Sequence, residues 1–211
     1  MVMQAEEILE AGLETQVRLR MTEDEFEKWC DEDTKAEWVD GEVILMSPSN
    51  LRHVIVAGFL LNLMSLYARR RDLGMVVGPE FQIRFAKLRR RRVPDVLFIS
   101  KDRLDALKPN HFEGAPDLAI EIASPDSVAR DWREKYLEYE TAGVREYWVI
   151  DPMSQRMEAY ALDEEGRYKL IEPKDGLIHS TALTGFWFKS DWLWQETLPD
   201  PLDLLKELGV L

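Results

Sequence analysis

The chain has 211 residues, 45% of them hydrophobic, and its 40 acidic and 27 basic residues give a net charge of −13. This composition excludes a disordered chain, and the length is typical of one domain with a substantial core. The single cysteine excludes an internal disulfide and a zinc site built from several thiolates. The negative charge argues against general affinity for nucleic acid, because it repels a phosphate backbone.

We predict neither a membrane span nor a secretion signal. The longest nearly unbroken apolar run, Val54 to Leu61, is far too short to cross a bilayer. The first residues include Glu6 and Glu7 and lack a basic and then apolar leader. Together with the single free thiol, these features lead us to expect a soluble protein of a reducing compartment, the cytoplasm.

Helix and strand signals alternate along the chain. Thr22 and Glu25 form a capping box that begins a short helix, and Asp40-Gly41 forms the turn of a hairpin. Apolar residues then recur at helical spacing through one long segment that ends at Gly74. The predicted elements are helices over 22–29, 51–71, 101–108, 126–141 and 199–208, a hairpin over 36–46, and strands over 75–85, 93–99, 117–123, 145–150, 157–162 and 168–172.

The order of the central elements is helix, three strands, helix, strand, which predicts an α/β fold with a mixed central sheet and a β-rich C-terminal extension. We divide the chain into an N-terminal arm (1–20), a single domain (21–196) and a C-terminal tail helix (197–211). The aromatic segment GFWFKSDWLW (185–194) favours core packing or a subunit contact over base stacking. A symmetric homodimer would suit a duplex substrate.

Two carboxylates stand out among the predicted strands. Of four Pro-Asp pairs, the one at Asp95 enters an apolar strand, whereas Asp126 and Asp200 sit at helix starts, where carboxylates cap free amides. Glu121 lies in the middle of DLAIEIA (117–123), where strand alternation places it between alanines on one face. A carboxylate there is costly unless a positive group compensates it. An ion pair would suffice, but the room left by the alanines favours a metal ion with water.

Lys135 supplies a positive charge on the helix that follows. A helical wheel places Lys135 on the flank of the core-facing stripe that contains Trp132 and Tyr139, while Glu138 points elsewhere. A lysine at the helix edge that extends to water would explain this position equally well. Beside two carboxylates, however, an ammonium group suits a site that binds a hard cation such as Mg²⁺ and stabilises charge on a phosphate.

The basic residues cluster in two places despite the acidic composition. Arg69 to Arg71 form one cluster, and Arg89, Arg90, Arg91 and Arg92 belong to a second with no acid between them. The second cluster could form a basic rim that contacts nucleic acid, or it could be a solvated hairpin tip.

Five segments of the chain together resemble a known group. They are AEWVDGEV (36–43), MSPSNLRH (46–53), VPDVLFIS (93–100), EGAPDLAIEIASPDS (113–127) and DWREKYLEYETAGVREYWVIDP (131–152). Over about 21–194 the chain resembles the PD-(D/E)xK, or restriction-endonuclease-like, nuclease superfamily. Within it the similarity is to a large bacterial group of endonuclease-like proteins long catalogued as a domain of unknown function.

The resemblance implies a restriction-endonuclease-like core and a divalent metal, Mg²⁺ or Mn²⁺, held by Asp95 and Glu121. The superfamily's lysine position is occupied by Ala123 here, and the closer group implies that Lys135 on the next helix replaces it. Glu37 resembles the group's recurrent glutamate, although a hairpin ion pair is an equal alternative. His53 matches a histidine position that would contact phosphate or assist proton transfer, although such residues often only cap or pack.

We therefore expect a metal-dependent endonuclease that acts on DNA, with Asp95, Glu121, Lys135, Glu37 and His53 as its site. A catalytically silent binding or scaffold protein of the same fold is the main alternative, which the net charge and Ala123 favour. A hydrolase of a small phosphate-containing molecule would suit the acidity, but the sequence has no glycine-rich phosphate loop.

Overall fold

The structure is a computed structural model that describes residues 19–31, 34–124 and 130–211. Most of the predicted N-terminal arm (1–20) therefore lies outside the described residues. Asp126 and the first turn of the helix predicted to begin there lie outside them as well.

The described residues form short and long helices around two six-stranded sheets. The helices are α1 (Glu23–Trp29), α2 (Leu51–Arg70), α3 (Tyr136–Ala142) and α4 (Pro201–Glu207), with a π-helical turn (Arg130–Lys135) directly before α3. The strands are β1 (Leu19–Arg20), β2 (Ala36–Val39), β3 (Glu42–Leu45), β4 (Gly74–Val77), β5 (Gln82–Phe85), β6 (Arg90–Arg92), β7 (Val96–Ser100), β8 (His111–Glu113), β9 (Leu118–Ile122), β10 (Glu146–Asp151), β11 (Arg156–Leu162), β12 (Tyr168–Leu170), β13 (Ile178–His179) and β14 (Trp187–Phe188).

The central sheet has the order β12-β11-β10-β9-β7-β4. Its strands β9 and β10 are parallel, and the neighbouring pairs on both sides are antiparallel. The chain order α2, β4, β7, β9, α3, β10 is the predicted helix, three strands, helix, strand, and β11 and β12 extend the sheet. The predicted α/β fold with a mixed sheet and a β-rich extension is confirmed.

The strand predicted over 75–85 is wrong, because the chain divides it between two sheets. β4 belongs to the central sheet, whereas β5 belongs to the second sheet, whose order is β1-β3-β2-β6-β5-β8. The break falls at Gly78 and Pro79. A Cβ atom at Gly78 would lie 2.7 Å from the Leu61 side chain, and Pro79 has no N–H group to continue a ladder. The alternation of apolar residues in the sequence continues across Gly78 and Pro79. The sequence pattern therefore does not reveal the break between the two strands.

Local signals in the first half were predicted correctly. Thr22 and Glu25 form the capping box of α1, in which each side chain bonds the other's backbone N–H. Asp40 and Gly41 both have positive φ, at 49° and 93°, as a two-residue hairpin turn requires. Asn50 caps α2 by accepting a hydrogen bond from the His53 N–H at 2.9 Å.

Helices cover both faces of the central sheet. α2 packs on one face with α4 and the aromatic segment, whose Phe186, Phe188 and Trp192 are buried. By length and composition alone α2 would be apolar enough to cross a membrane, with mean hydropathy 1.5, but eight of its residues lie in this core. The opposite face, which carries Ala119 and Glu121, lies beneath the π-helical turn and α3. The candidate site is at the edge of that second face.

Candidate active site

Asp95 and Glu121 face each other on neighbouring strands. β7 and β9 are antiparallel with Val96 opposite Ile120, so the next pair in register is Asp95 and Glu121. The Asp95 backbone N–H donates to Ile120 O at 3.1 Å, and its Oδ2 accepts from the Ile122 N–H at 2.7 Å. Both side chains are almost fully buried. The sheet therefore brings the two predicted carboxylates to one place on one face.

Lys135 reaches the same place from the π-helical turn. Its Nζ lies 2.8 Å from Glu121 Oε2, 3.1 Å from Glu37 Oε1 and 3.5 Å from Asp131 Oδ1. The residue is 2% exposed, so the ammonium is neither solvated nor extended along the helix edge. One positive charge is thus shared among three carboxylates.

Tyr139 is a member of this site that the sequence did not reveal. Its hydroxyl donates to Glu121 Oε1 at 2.6 Å, while its ring packs edge-on against Phe85 and Tyr147. From the sequence, Tyr139 is predicted only to lie on the core-facing stripe of the helix. The spacing of Asp131, Lys135 and Tyr139, four residues apart in each step, places all three on one stripe and was the available signal.

The electrostatics of Glu121 are unusual. Burial raises the pKa of Glu121 to about 8, and the carboxylates of Asp131, Asp95 and Glu37 add to this, while Lys135 opposes it. Burial lowers the pKa of Lys135, but the carboxylates of Glu121, Glu37 and Asp131 outweigh burial and hold that pKa above its usual value. Lys135 is therefore a permanent cation in a site with more negative charge than it can neutralise.

Glu37 lies behind Lys135 and outside the walls of the cavity at the site. It is fully buried on β2, where Oε2 accepts from Arg92 at 2.7 Å and Oε1 accepts from the Val93 N–H at 3.2 Å. Although burial raises the pKa of Glu37, Lys135 and Arg92 lower it to about 2, so this residue stays ionised. Of the two alternatives for Glu37, the contacts favour an ion-pair partner that positions Lys135.

His53 contacts Asp95 directly. In the first turn of α2, its Nε2 lies 2.8 Å from Asp95 Oδ1. Its Nδ1 is buried and has no hydrogen-bond partner among the residues that the structure describes. The structure thus brings His53 to the site as a partner of Asp95.

The predicted nucleic-acid contact at Arg89 to Arg92 must be corrected. Arg91 and Arg92 are buried, and their guanidinium groups pair with Glu23 at 2.9 Å and with Glu37 and Glu138 at 2.7 Å. Arg90 also pairs with Glu138, at 3.1 Å. These residues are therefore structural, and Glu138 belongs to their network instead of pointing elsewhere. Arg89 alone of the four is well exposed, and it pairs with Asp40.

A cavity of about 280 Å³ opens onto the two carboxylates. Its lining includes the segment 46–50 between β3 and α2, and Asp131 and Lys135 of the π-helical turn. Asp95, Glu121 and His53 line its interior, and Lys35 and Arg130 contribute to its walls. Four of the five predicted site residues thus line one solvent-accessible pocket.

A model of the Uma2 family, described as "Putative restriction endonuclease", matches residues 23–192. The chain belongs to the Uma2 family. The matched range includes every residue of the pocket. A structure from Anabaena variabilis ATCC 29413, described as a putative nuclease belonging to DUF820, has a TM-score of 0.70 at 21% identity and covers 82% of this chain and 97% of that chain. No curated protein matches. The resemblance to restriction-endonuclease-like nucleases is confirmed for the family and the fold.

The Uma2-family pocket suits a hard divalent cation by its chemistry. Within 19–31, 34–124 and 130–211 no group of three or more His, Cys, Asp or Glu side chains is arranged to hold a metal ion. Mg²⁺, however, commonly takes one or two carboxylates and completes its shell with water and phosphate oxygens. Asp95 and Glu121 supply two, in a site whose negative charge Lys135 leaves partly uncompensated. The donors therefore fit Mg²⁺ or Mn²⁺.

Proposed function

We propose that this Uma2-family protein is a metal-dependent endonuclease that hydrolyses phosphodiester bonds in DNA. One observation carries the proposal: Asp95 and Glu121 face each other across two strands in an open pocket, and the Lys135 ammonium lies 2.8 Å from Glu121. Two carboxylates and one ammonium are the groups that metal-assisted phosphodiester hydrolysis requires.

Asp95 and Glu121 would hold Mg²⁺ or Mn²⁺. When bound, such an ion lowers the pKa of an attacking water and neutralises charge that develops on the phosphate. Lys135 keeps its proton, so it places a fixed positive charge beside the reacting phosphate. His53 and the Ile122 N–H fix the two oxygens of Asp95, and Tyr139 fixes Glu121 from the side opposite Lys135.

Glu37 acts in this scheme through Lys135. It is ionised and buried, and it receives Arg92 on one oxygen and Lys135 on the other. This clamp restricts where the ammonium can lie. Glu37 is therefore a positioning residue in our proposal, since the cavity walls do not include it.

The rival function is a nuclease fold that binds a partner without hydrolysis. The contacts argue for the enzyme, because buried, partly uncompensated carboxylates reduce stability unless a ligand neutralises them. An inactive module would gain nothing from keeping Glu37, Glu121 and Asp131 so close to one lysine.

The test is nicking of supercoiled plasmid in Mg²⁺ or Mn²⁺, with a chelator control. We expect cleavage by the wild type and a loss of at least about a hundredfold in Asp95→Asn and Glu121→Gln, a magnitude typical of removing one charge-stabilising group. Glu134→Gln is the matched control, because Glu134 is exposed beside Lys135 and should leave the rate unchanged. Folded wild-type protein that cleaves no plasmid and binds no divalent ion by calorimetry would favour the scaffold.

A further inference from the structure

A second cavity, of about 520 Å³, continues the active-site pocket along α2. The two cavities share Lys35, His53 and the segment 46–49 in their walls. Beyond this junction the second cavity is lined mainly by aliphatic and proline side chains, together with Gly58. We call it the α2 groove, and its other lining residues are Val54, Ala57, Leu61, Pro79 and Glu80.

The α2 groove is open to solvent. Val54 is 55% exposed, although α2 is a core helix. A Cβ atom added at Gly58 would meet no atom within 4 Å, so the groove has free space directly above the helix backbone. An apolar surface of this kind beside a polar pocket is suited to a ligand with a flat apolar face.

Positive charge marks the junction between pocket and groove. Lys35 is half-buried there and makes no ion pair with any residue that the structure describes, and the same holds for Arg130 in the pocket wall. By contrast, the buried Arg91 and Arg92 are neutralised by ion pairs with acids. Two unpaired cations at the entrance are therefore available to neutralise phosphates on either side of the reacting bond.

We infer that the α2 groove receives an unstacked nucleobase of the substrate strand, next to the phosphate held at Lys35, so that the preferred substrate is DNA with unpaired bases. This inference rests on the proposed function, because it names the substrate of the same site. A base in single-stranded DNA can enter the groove freely, whereas a base in a duplex must first leave its stack. Apolar contact with the base faces needs no particular base, so the groove adds affinity without sequence preference.

A second copy of this chain is the other occupant that an apolar groove could have. It fits less well, because the groove and the pocket share a wall, and a subunit seated over Val54 and Gly58 would narrow the substrate entrance. Lys35 at the junction also complements a phosphate and not an apolar subunit face.

Gly58→Leu tests the groove without disturbing the site. The new side chain would fill the open space above Gly58, and leucine is a better helix former than glycine. Asn62→Leu is the matched control, since Asn62 is exposed one turn further along α2 and does not line the groove. Neither residue touches the carboxylates.

The measurement is fluorescence anisotropy with a labelled single-stranded oligonucleotide and with the same sequence as a duplex, in buffer with Ca²⁺ and without divalent ions. We expect the wild type to bind the single strand more tightly. Gly58→Leu should weaken that binding about tenfold, as expected for the loss of apolar contact with one base, and Asn62→Leu should change it less than about twofold.

Equal single-strand affinity in Gly58→Leu and wild type, tighter binding of the duplex, or no binding of single strand at all would overturn the inference. A change of oligomeric state in Gly58→Leu alone would assign the groove to a second copy and would also overturn it. Failure of the nuclease proposal alone would give a different result. The plasmid would stay uncut, while the affinity for single-stranded DNA would still be weakened by Gly58→Leu.

Discussion

Glu121 is the residue on which the site depends most. It is held by two donors, the Lys135 ammonium at 2.8 Å and the Tyr139 hydroxyl at 2.6 Å. Even so, burial and the nearby carboxylates raise its pKa to about 8. A divalent cation would reverse this balance, because it favours the ionised carboxylate. In our proposal, a proton and a metal ion would therefore compete for the Glu121 carboxylate.

The raised pKa of Glu121 predicts a pH dependence of stability. An unfolded glutamate has a pKa near 4.5, whereas Glu121 in the folded protein has a pKa of about 8. Between these values the folded state holds a proton that the unfolded state has released, so the free energy of unfolding falls as pH rises from about 5 to 8. Glu121→Gln removes this contribution. In metal-free buffer, the melting temperature of the wild type should therefore fall relative to that of Glu121→Gln as the pH rises from about 5 to 8.

Thermal melts of both proteins at pH 5, 6, 7 and 8 give the comparison. Glu134→Gln should follow the wild-type curve, since that exposed carboxyl lies outside the cluster. Parallel curves for wild type and Glu121→Gln would show that Glu121 titrates as an ordinary carboxyl group. Adding Mg²⁺ at pH 8 should raise the melting temperature of the wild type and of Glu134→Gln, but not that of Glu121→Gln.

At the scale of elements, β6 shows how a run of like charge can be structural. Strand alternation sends Arg90 and Arg92 to one face, where both pair with Glu138, and sends Arg91 to the other face, where it pairs with Glu23. These acids lie between 46 and 68 residues away along the chain. No local pattern in the sequence could have matched them, so the exposed basic rim was a reasonable but incorrect prediction.

Arg92→Ala should therefore be severely destabilising. It would leave Glu37 fully buried with Lys135 as its remaining cation. Breaking a buried ion pair in this way costs about 3–5 kcal/mol of unfolding free energy. Arg89→Ala is the control from the same segment and should cost less than about 0.5 kcal/mol, because Arg89 is exposed. Urea unfolding measures the change in unfolding free energy for each variant. Similar losses of unfolding free energy in Arg92→Ala and Arg89→Ala would mean that burial does not decide the role of these arginines.

The sequence predicts the helices and strands that have strong apolar periodicity, but it does not predict which other elements they pack against. The helical spacing of α2 and the alternation in β9 gave the correct element types, and β9 also gave the correct face for Glu121. The break at Gly78 was missed because it depends on close packing against Leu61. The π-helical turn that carries Lys135 was likewise missed, since helical periodicity does not distinguish one wider turn.

For the molecule as a whole, the net charge of −13 should confine DNA binding to the pocket entrance. Lys35 and Arg130 line that pocket without an ion pair to any described residue, whereas its third cation, Lys135, is held by Glu37 and Glu121. Two phosphate contacts predict a slope of about −1.4 for the logarithm of single-strand affinity against the logarithm of salt concentration. Lys35→Gln should reduce the magnitude of this slope by about 0.7.

Arg89→Gln serves as the comparison, because it removes an exposed charge that lies outside the pocket. Its salt slope should equal that of the wild type. A slope that Arg89→Gln reduces and Lys35→Gln leaves unchanged would place the DNA on the second sheet instead.

The whole arrangement depends on long-range topology that the sequence indicated only in outline. Strand and helix patterns and the family resemblance predict Asp95, Glu121 and Lys135 as site residues, and the sheet register and the π-helical turn bring them together. Tyr139 is found in the site only with the structure, because its role depends on a contact between α3 and β9. Asp131 contacts Lys135 locally, four residues away within the π-helical turn.

The central claim is that Asp95 and Glu121 share one divalent cation beside Lys135. A crystal soaked in Mn²⁺ and measured for anomalous scattering tests it most directly. We predict one strong peak within about 2.5 Å of an oxygen of each carboxylate, which is lost in Asp95→Asn. A Mn²⁺ peak elsewhere on the protein, or none at this pocket at saturating Mn²⁺, would contradict the account.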